Sequence, residues 1–387
     1  MENEGLHQSS VLKELESRLS RDFTYSSGRI IGSMCTCPHP LAREVYTSFL
    51  DRNLGDSGLS PALVELEKET MHILGTLLSN PKASGHIVTG GTEANTLALW
   101  AAKKLSKKKH CEVIVPASAH YSFDKAADLL SLKIVKIGLN SRFQVDVGAV
   151  EKAVNSNTIA IVGVAGTTGL GVVDPISELS EIAVRKNLYL HVDAAFGGFV
   201  LPFLKELGFS VPDFDFSLPG VRSITIDPHK MGLAPIPAGG MLFRDESLRK
   251  AVAWNVSYLA GGESEQATIV GTRSGASVVA VWALLKHLGT AGYKRIVRSC
   301  MHLTWKLAGG ISKINGLDIM TEPSTNIVGI KSEVLDIRRI AKELRLRKWA
   351  VSLFANHIRI VVMPHVHKQH IEEFLEDLKD IVNKLAG

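Results

Sequence analysis

The sequence predicts an α/β fold with a mainly parallel sheet covered by helices on both faces. Two observations carry that expectation. Between residues 112 and 192, short apolar runs alternate with segments of helical periodicity, which is the pattern of repeated βα units. Several polar residues also fall just past the ends of those runs, at the sheet edge where open α/β folds bind ligands. With 387 residues the chain is long enough for more than one domain.

The elements follow in order. Val11, Leu12, Leu15 and Leu19 repeat at helical spacing within residues 8–22, an N-terminal arm. Residues 28–40 are irregular and rich in Gly, Ser, Cys and Pro, so they form either a linker or a loop lining a site. Residues 41–50 and 61–78 read as helices; Ser60 stands where it could cap the second, and Pro61 falls in its first turn. A strand at 86–88 runs into Gly90-Gly91, and a helix follows through residue 102. Paired glycines let backbone N–H groups face a ligand, and the helix adds its positive end, which suits a phosphate. Without context the same residues also read as a plain tight turn.

Strands are expected at 112–116, 133–137, 159–165 and 188–192, with helices at 122–130, 147–154 and 176–186. In residues 223–232, Ile224 and Ile226 alternate as in a strand, and Pro228 stops it. His229 and Lys230 are left at the strand's carboxyl end, and Gly232 permits the turn after them. A lysine there can be partly desolvated, which lowers its pKa and makes the amine a nucleophile toward carbonyls. In isolation it also reads as a surface lysine. Residues 239–243 form another strand. Past residue 275, helices at 277–288, 293–308, 334–344 and 367–385 interleave with short strands at 317–320, 325–330 and 358–362. That is a small α/β domain with antiparallel pairing. The expected division is an arm and helix over 1–50, a large domain over 51–275 and a small domain over 276–387.

Composition narrows the function. Hydrophobic residues make up 45% and charged residues 21%, an ordinary globular balance. A net charge of +5 is too mild to argue for nucleic acid. The dense basic run, Lys103-Lys104 and Lys107-Lys108-Lys109, follows an apolar helix and reads as its solvated end. No uncharged apolar stretch approaches the ~18 residues of a membrane span. Residues 1–20 carry charges throughout, so no secretory signal is expected. Cys35-Thr36-Cys37 lacks the second Cys/His pair that zinc requires, so no metal is expected, and Cys35, Cys37, Cys111 and Cys300 read as free thiols of a cytoplasmic protein.

The polar residues past the strand ends are His120, Thr167-Thr168-Gly169, Asp193, and His229 with Lys230. Singly, His120 or Asp193 could be a helix cap. Together they put an acid, an imidazole, an amine and a phosphate-cradling turn on one sheet edge. In Thr89-Gly90-Gly91-Thr92-Glu93-Ala94-Asn95, His120, His191-Val192-Asp193-Ala194-Ala195 and Asp227-Pro228-His229-Lys230, the chain resembles the group II decarboxylases dependent on pyridoxal phosphate. The resemblance spans nearly the whole chain, including Asn53-Leu54-Gly55-Asp56 and residues 358–365, and is nearest to the archaeal tyrosine/aspartate decarboxylases.

The resemblance implies the aspartate aminotransferase-type fold, fold type I, with pyridoxal 5'-phosphate as cofactor. Lys230 would be the residue joined to the cofactor. Asp193 would pair with the ring nitrogen, favouring its charged form by roughly 1–3 pKa units. His120 and Ala195 would lie on opposite ring faces. Gly90, Gly91 and Thr92 would hold the phosphate with help from His229, and Thr168 would contact the ring. Gly271-Thr272-Arg273-Ser274 resembles the segment that reaches a neighbour's phosphate, which implies a homodimer with a shared site. Arg359, on an otherwise apolar strand, is the candidate for gripping a substrate carboxylate; a buried structural ion pair is the alternative. Within residues 33–39, Cys35, Thr36 and His39 offer polar groups to an acidic side chain, with no aromatic cage among them. L-Aspartate is therefore the expected substrate, giving β-alanine, with glutamate tolerated. Tyrosine giving tyramine is the alternative, and a lyase of the same fold a further one. Tyr258, in a glycine-flanked loop, is the candidate for the family's proton-donating tyrosine, with packing at an interface the alternative.

Overall fold

The computed structural model describes residues 4–386. The strands are β1 (Ser84–Val88), β2 (Glu112–Pro116), β3 (Lys133–Ile137), β4 (Thr158–Val164), β5 (Tyr189–Asp193), β6 (Val221–Ile226) and β7 (Gly239–Phe243). After them come β8 (Trp254–Leu259), β9 (Gly262–Gln266), β10 (Asp318–Ile319), β11 (Ile327–Lys331), β12 (Ser352–Leu353) and β13 (Ile358–Val361). The helices are α1 (Gln8–Leu19), α2 (Pro40–Ser48), α3 (Pro61–Leu77), α4 (Gly91–Leu105), α5 (Ser122–Leu130) and α6 (Val147–Ala153). They continue with α7 (Ile176–Lys186), α8 (Leu201–Glu206), α9 (Glu246–Lys250), α10 (Gly275–Ile311), α11 (Ile337–Leu346) and α12 (Lys368–Ala386).

Seven strands form one sheet in the order β1-β7-β6-β5-β4-β2-β3. The pairs β2–β3, β2–β4, β4–β5 and β5–β6 are parallel. Strand β7 is antiparallel to both β6 and β1, so two reversals return β1 to the common direction. The central strands β2, β4 and β5 are buried along their whole length, as a sheet covered on both faces requires. Lys133 and Lys136 are exposed on the edge strand β3, where charge discourages pairing with another chain. The class expected from the βα alternation is the class observed. The small sheet, β10-β11-β13-β12, is antiparallel throughout.

Helix α10 joins the two expected helices at 277–288 and 293–308 through a kink at Gly289. It begins at the expected domain division, yet the cores do not part there. Val278 through Met301 pack in the same core as the large sheet, whereas Leu307 and Ile311 pack with the small sheet, α11 and α12. Ile31, far earlier in sequence, also belongs to that second core. Ser60 stands at the start of α3 but makes no side-chain cap; its carbonyl accepts the amides of Leu63 and Val64. The lysine run after α4 behaves as a helix end: Lys103 donates to Leu130 O and Lys108 donates to Thr158 O at 2.6 Å. The segment containing Tyr258 is a two-stranded ribbon, β8–β9, rather than a loop. No helix among the described residues is long and apolar enough to cross a membrane.

Candidate active site

Strands β1, β2, β4, β5 and β6 all end on one edge of the sheet. Residues just past those ends line a cavity of about 470 Å³, within the roughly 300–1,000 Å³ common for small-molecule sites. Gly90, Gly91, Thr92, His120, Thr168, Asp193, Ala195, His229, Lys230 and Arg359 all line it. The parallel direction of the strands is what gathers residues so distant in sequence.

At the end of β1 the backbone must be bare. A Cβ on Gly239 of β7 would stand 2.4 Å from Gly90 Cα, and one on Gly90 would stand 3.1 Å from His229 Cε1. Helix α4 starts at Gly91, so its first amides have no intrahelical acceptor. Glu93 braces this turn: its Oε2 accepts from Thr89 N at 2.8 Å and Thr89 Oγ1 at 2.7 Å, and its Oε1 from Ile269 N at 3.1 Å. Open amides at a helix start, carried by bare glycines, fit a phosphate.

Asp193 is the last residue of β5 and is buried. Its Oδ1 accepts from Ala195 N at 3.1 Å and its Oδ2 from Asn95 Nδ2 at 3.0 Å. A carboxylate only accepts, so the Asn95 amide nitrogen faces Asp193 and its Oδ1 faces the other way. That oxygen lies 2.7 Å from Thr225 Oγ1 and 3.0 Å from His191 Nε2. His191 therefore carries its proton on Nε2, and Nδ1 accepts from Ser223 Oγ at 2.8 Å. Burial pushes His191 down to about 4, with Asp193 opposing, so the ring behind the acid is neutral. No local pattern assigns a role to Asn95; its place one helical turn past Gly91 is the available signal.

His120 also contacts the start of α5, its Nδ1 accepting from Ser122 N at 3.3 Å. The residue thus stands before a helix and lines the cavity as well. Burial moves it below the ordinary imidazole range, against the pull of Asp193. Lys230 Nζ lies 3.0 Å from Asp227 Oδ2. Burial alone would lower its pKa, but Asp227 and then Asp193 outweigh that, and the net direction is upward. The expected lowering is corrected: the lysine is desolvated, but beside two acids it is held as an ammonium.

Arg359 sits on β13 and is 8% exposed. It donates to Thr168 O at 2.8 Å, Gly32 O at 2.5 Å and Ser352 Oγ at 3.0 Å. All three acceptors are neutral, and its Nε has no partner among the described residues. Burial pulls the guanidinium down to about 10. Among the described residues Arg359 makes no ion pair, and its side chain lines the cavity.

Thr36 and His39 do not line the cavity. His365 Nε2 lies 2.7 Å from Ile30 O, a pure acceptor, so that nitrogen carries the proton. Its Nδ1 then accepts from Thr36 Oγ1 at 2.7 Å, which uses the hydroxyl. His39 Nδ1 caps α2 through Leu41 N at 3.3 Å. From this segment it is Met34 that lines the cavity. Gly271 and Thr272 line a separate depression of about 680 Å³ with Trp254 and Tyr258. Their segment is pinned by Arg273, which donates to Glu67 Oε1 at 2.6 Å. Tyr258 is 87% exposed and does not line the cavity.

Residues 33–332 match the model of the pyridoxal-dependent decarboxylase conserved domain. The chain is 53% identical over 379 residues to the L-aspartate/L-glutamate decarboxylase of Pyrococcus horikoshii, covering 98% of both chains. It is 50% identical over 360 residues to a probable L-tyrosine/L-aspartate decarboxylase of Methanothermobacter thermautotrophicus, covering 92% of this chain and 98% of that one. Among solved structures, the sphingosine-1-phosphate lyase of Burkholderia pseudomallei superposes with a TM-score of 0.93 at 30% identity, over 100% of this chain and 92% of that one. With the phosphate-fitting turn, the buried acid and the lysine on one sheet edge, this chain belongs to the pyridoxal-dependent decarboxylase family, has the type I fold of its enzymes and uses pyridoxal phosphate as cofactor.

Proposed function

We propose that this enzyme converts L-aspartate to β-alanine and carbon dioxide, and that Arg359 grips the carboxylate of the bound amino acid. The observation that carries the carboxylate role is the unpaired guanidinium: a buried cation with only neutral acceptors gains most from an arriving anion. Aspartate is favoured because the Pyrococcus horikoshii relative, similar over nearly the full length, is named for aspartate and glutamate. When bound, pyridoxal phosphate supplies an electron-withdrawing ring that accepts the charge left as carbon dioxide departs. In this reading Asp193 keeps a proton at the ring nitrogen, and the Asn95–His191 network keeps Asp193 oriented. Gly90, Gly91, Thr92 and His229 hold the phosphate. Neutral His120 and small Ala195 bound the ring's two faces, with Thr168 at its edge. Lys230 is the attachment point.

The probable tyrosine/aspartate relative supports tyrosine as the second reading. The polar groups expected to receive an acidic side chain no longer separate the two, since Thr36 and His39 face elsewhere. Gly271 and Thr272 lie outside their own chain's cavity, which suits a homodimer in which they complete a neighbour's site. Four free cysteines suit a reducing, cytoplasmic setting. The test is to supply purified enzyme and cofactor with aspartate, glutamate and tyrosine separately and to measure carbon dioxide and amine. β-Alanine should form with the highest kcat/KM. A higher value for tyramine, or turnover without carbon dioxide, overturns the assignment. Arg359→Met should leave cofactor absorbance intact and lower kcat/KM at least ~30-fold, about 2 kcal/mol, as truncation of a buried charge partner does. Unchanged kinetics would remove Arg359 from substrate binding.

A further inference from the structure

A second chamber, of about 460 Å³, adjoins the active-site cavity, and none of the roles above uses it. His120, Tyr121 and Thr168 line both spaces. Arg359 lines the cavity and donates to Thr168 O at 2.8 Å. A substrate carboxylate held at Arg359 would therefore stand beside the wall that the two spaces share.

Much of the remaining wall comes from two turns. Phe354 N donates to His357 O at 2.8 Å, which closes the tip of the β12–β13 hairpin. The rings of Phe354 and His357 stack there, 4.7 Å apart with 12° between their planes. His357 Nε2 lies 3.3 Å from Gly169 O, in the segment after β4. That carbonyl only accepts, so Nε2 carries the proton and ties the hairpin tip down. The other turn, residues 139–145, is closed by the Leu139–Val145 bridge and by Asn140, whose Oδ1 accepts from Arg142 N at 2.9 Å and Gln144 N at 3.2 Å. It leaves Phe143 with φ 59°, a left-handed backbone that is costly for a bulky residue. Glycine would suit that angle better, so the turn itself does not account for an aromatic ring at this position. The ring lines the chamber.

The lining is also uncharged. No lysine, arginine, aspartate or glutamate is among the described residues that form it. Burial holds His120 and His357 below the ordinary imidazole range. Ser118 belongs to the lining, and its Oγ is buried without a hydrogen-bond partner. Its hydroxyl can therefore turn toward a ligand without giving up a bond. A side-chain carboxylate entering this space would leave water and meet no cation. A ring would meet the rings of Phe143 and Phe354 in the geometry that aromatic pairs favour.

We propose that this chamber is the side-chain subsite for a second class of substrate, an uncharged aromatic L-amino acid, with Phe143 and Phe354 packing its ring and Ser118 bonding a ring hydroxyl. This rests on the decarboxylase reading, with the substrate carboxylate at Arg359. The side chain of aspartate ends at the carbon after Cβ and stays in the cavity, whereas the phenol of tyrosine extends into the chamber. The aromatic cage that residues 33–39 lack is built here instead, from segments far apart in the chain.

The test is kcat/KM of the cofactor-loaded enzyme for aspartate, tyrosine and phenylalanine, with β-alanine, tyramine and phenethylamine measured as products. Wild type should form both β-alanine and tyramine. Phe143→Gly suits the left-handed turn, so the fold should persist without the ring. In that variant kcat/KM for tyrosine relative to aspartate should fall at least ~10-fold, chiefly through KM, as loss of an aromatic packing partner does. Ser118→Ala should lower the preference for tyrosine over phenylalanine by about fivefold, the worth of one hydrogen bond. β-Alanine without either aromatic amine, or an unchanged tyrosine-to-aspartate ratio in Phe143→Gly, overturns the role of the chamber and leaves the decarboxylase reading in place. An unchanged tyrosine-to-phenylalanine ratio in Ser118→Ala removes Ser118 from the subsite. Absence of all three amines defeats the decarboxylase reading, and the chamber's role with it.

Discussion

Asn95 makes four contacts in a buried space where each is costly to lose. Its amide nitrogen serves Asp193 and Ser122, and its oxygen serves Thr225 and His191. The neutral state of His191 makes this network acid-sensitive. An unfolded histidine takes up a proton below about pH 6.5, while the folded one resists down to about 4. Stability from this residue is thus complete above pH 6.5 and is lost as pH falls toward 4, by about 3 kcal/mol in all. His191→Asn should flatten the fall in unfolding free energy between about pH 6.5 and pH 4, measured by urea denaturation. An unchanged acid slope would mean that His191 titrates normally. Lys230, Asp193 and His120 were legible as site candidates because each follows an apolar run. Asn95 was not, because its importance lies in what it touches across 98 residues.

At the scale of elements, the kink in α10 is the feature local pattern could mark but not explain. Gly289 has φ 51° and ψ −172°, a region essentially closed to other residues. A Cβ there would meet nothing within 4 Å, so space is not the obstacle and only the backbone angle is. Gly289→Ala should therefore destabilise the fold by about 1–3 kcal/mol, read as a shift in urea midpoint at constant slope. A neutral result would show that the helix straightens without cost. Periodicity found both halves of this helix, because each half has its own buried stripe. It could not find that the helix packs with the large sheet past the kink as far as Met301 and joins the small-sheet core only from Leu307. The ribbon β8–β9 was missed for a related reason: Trp254, Asn255, Tyr258, Gly262, Glu263 and Glu265 are exposed, so no alternation of burial is written there.

For the whole molecule, the number of chains that build one site can be read from the segment around Gly271. Gly271 and Thr272 lie beside the Arg273–Glu67 ion pair and line a depression separate from their own cavity. Trp254, Tyr258 and Ile269 are 60%, 87% and 49% exposed around the same depression, a large apolar surface for one chain to leave in water. If two chains share sites, Lys230→Ala and Thr272→Asp should each be nearly inactive alone. Mixed after partial denaturation and refolding, they should regain activity, because one of the two sites in a hybrid is then free of both changes. Sedimentation should report a dimer. No recovery, or an active monomer, would show that each chain works alone.

The sequence by itself determined the βα alternation, the sheet edge that binds, and the turn and lysine that resemble a known cofactor site. Those are local matters: apolar spacing, paired glycines and a proline stop act between near neighbours in the chain. Only the tertiary structure decided which side chains enter the cavity. It turned Thr36 toward His365, gave His39 to a helix start, left Met34 inside, and gave Arg359 three neutral partners. His39 at its helix start is a local contact with Leu41, but the others depend on residues hundreds of positions apart, such as Thr36 with His365 and Gly32 with Arg359, and no local pattern encodes them.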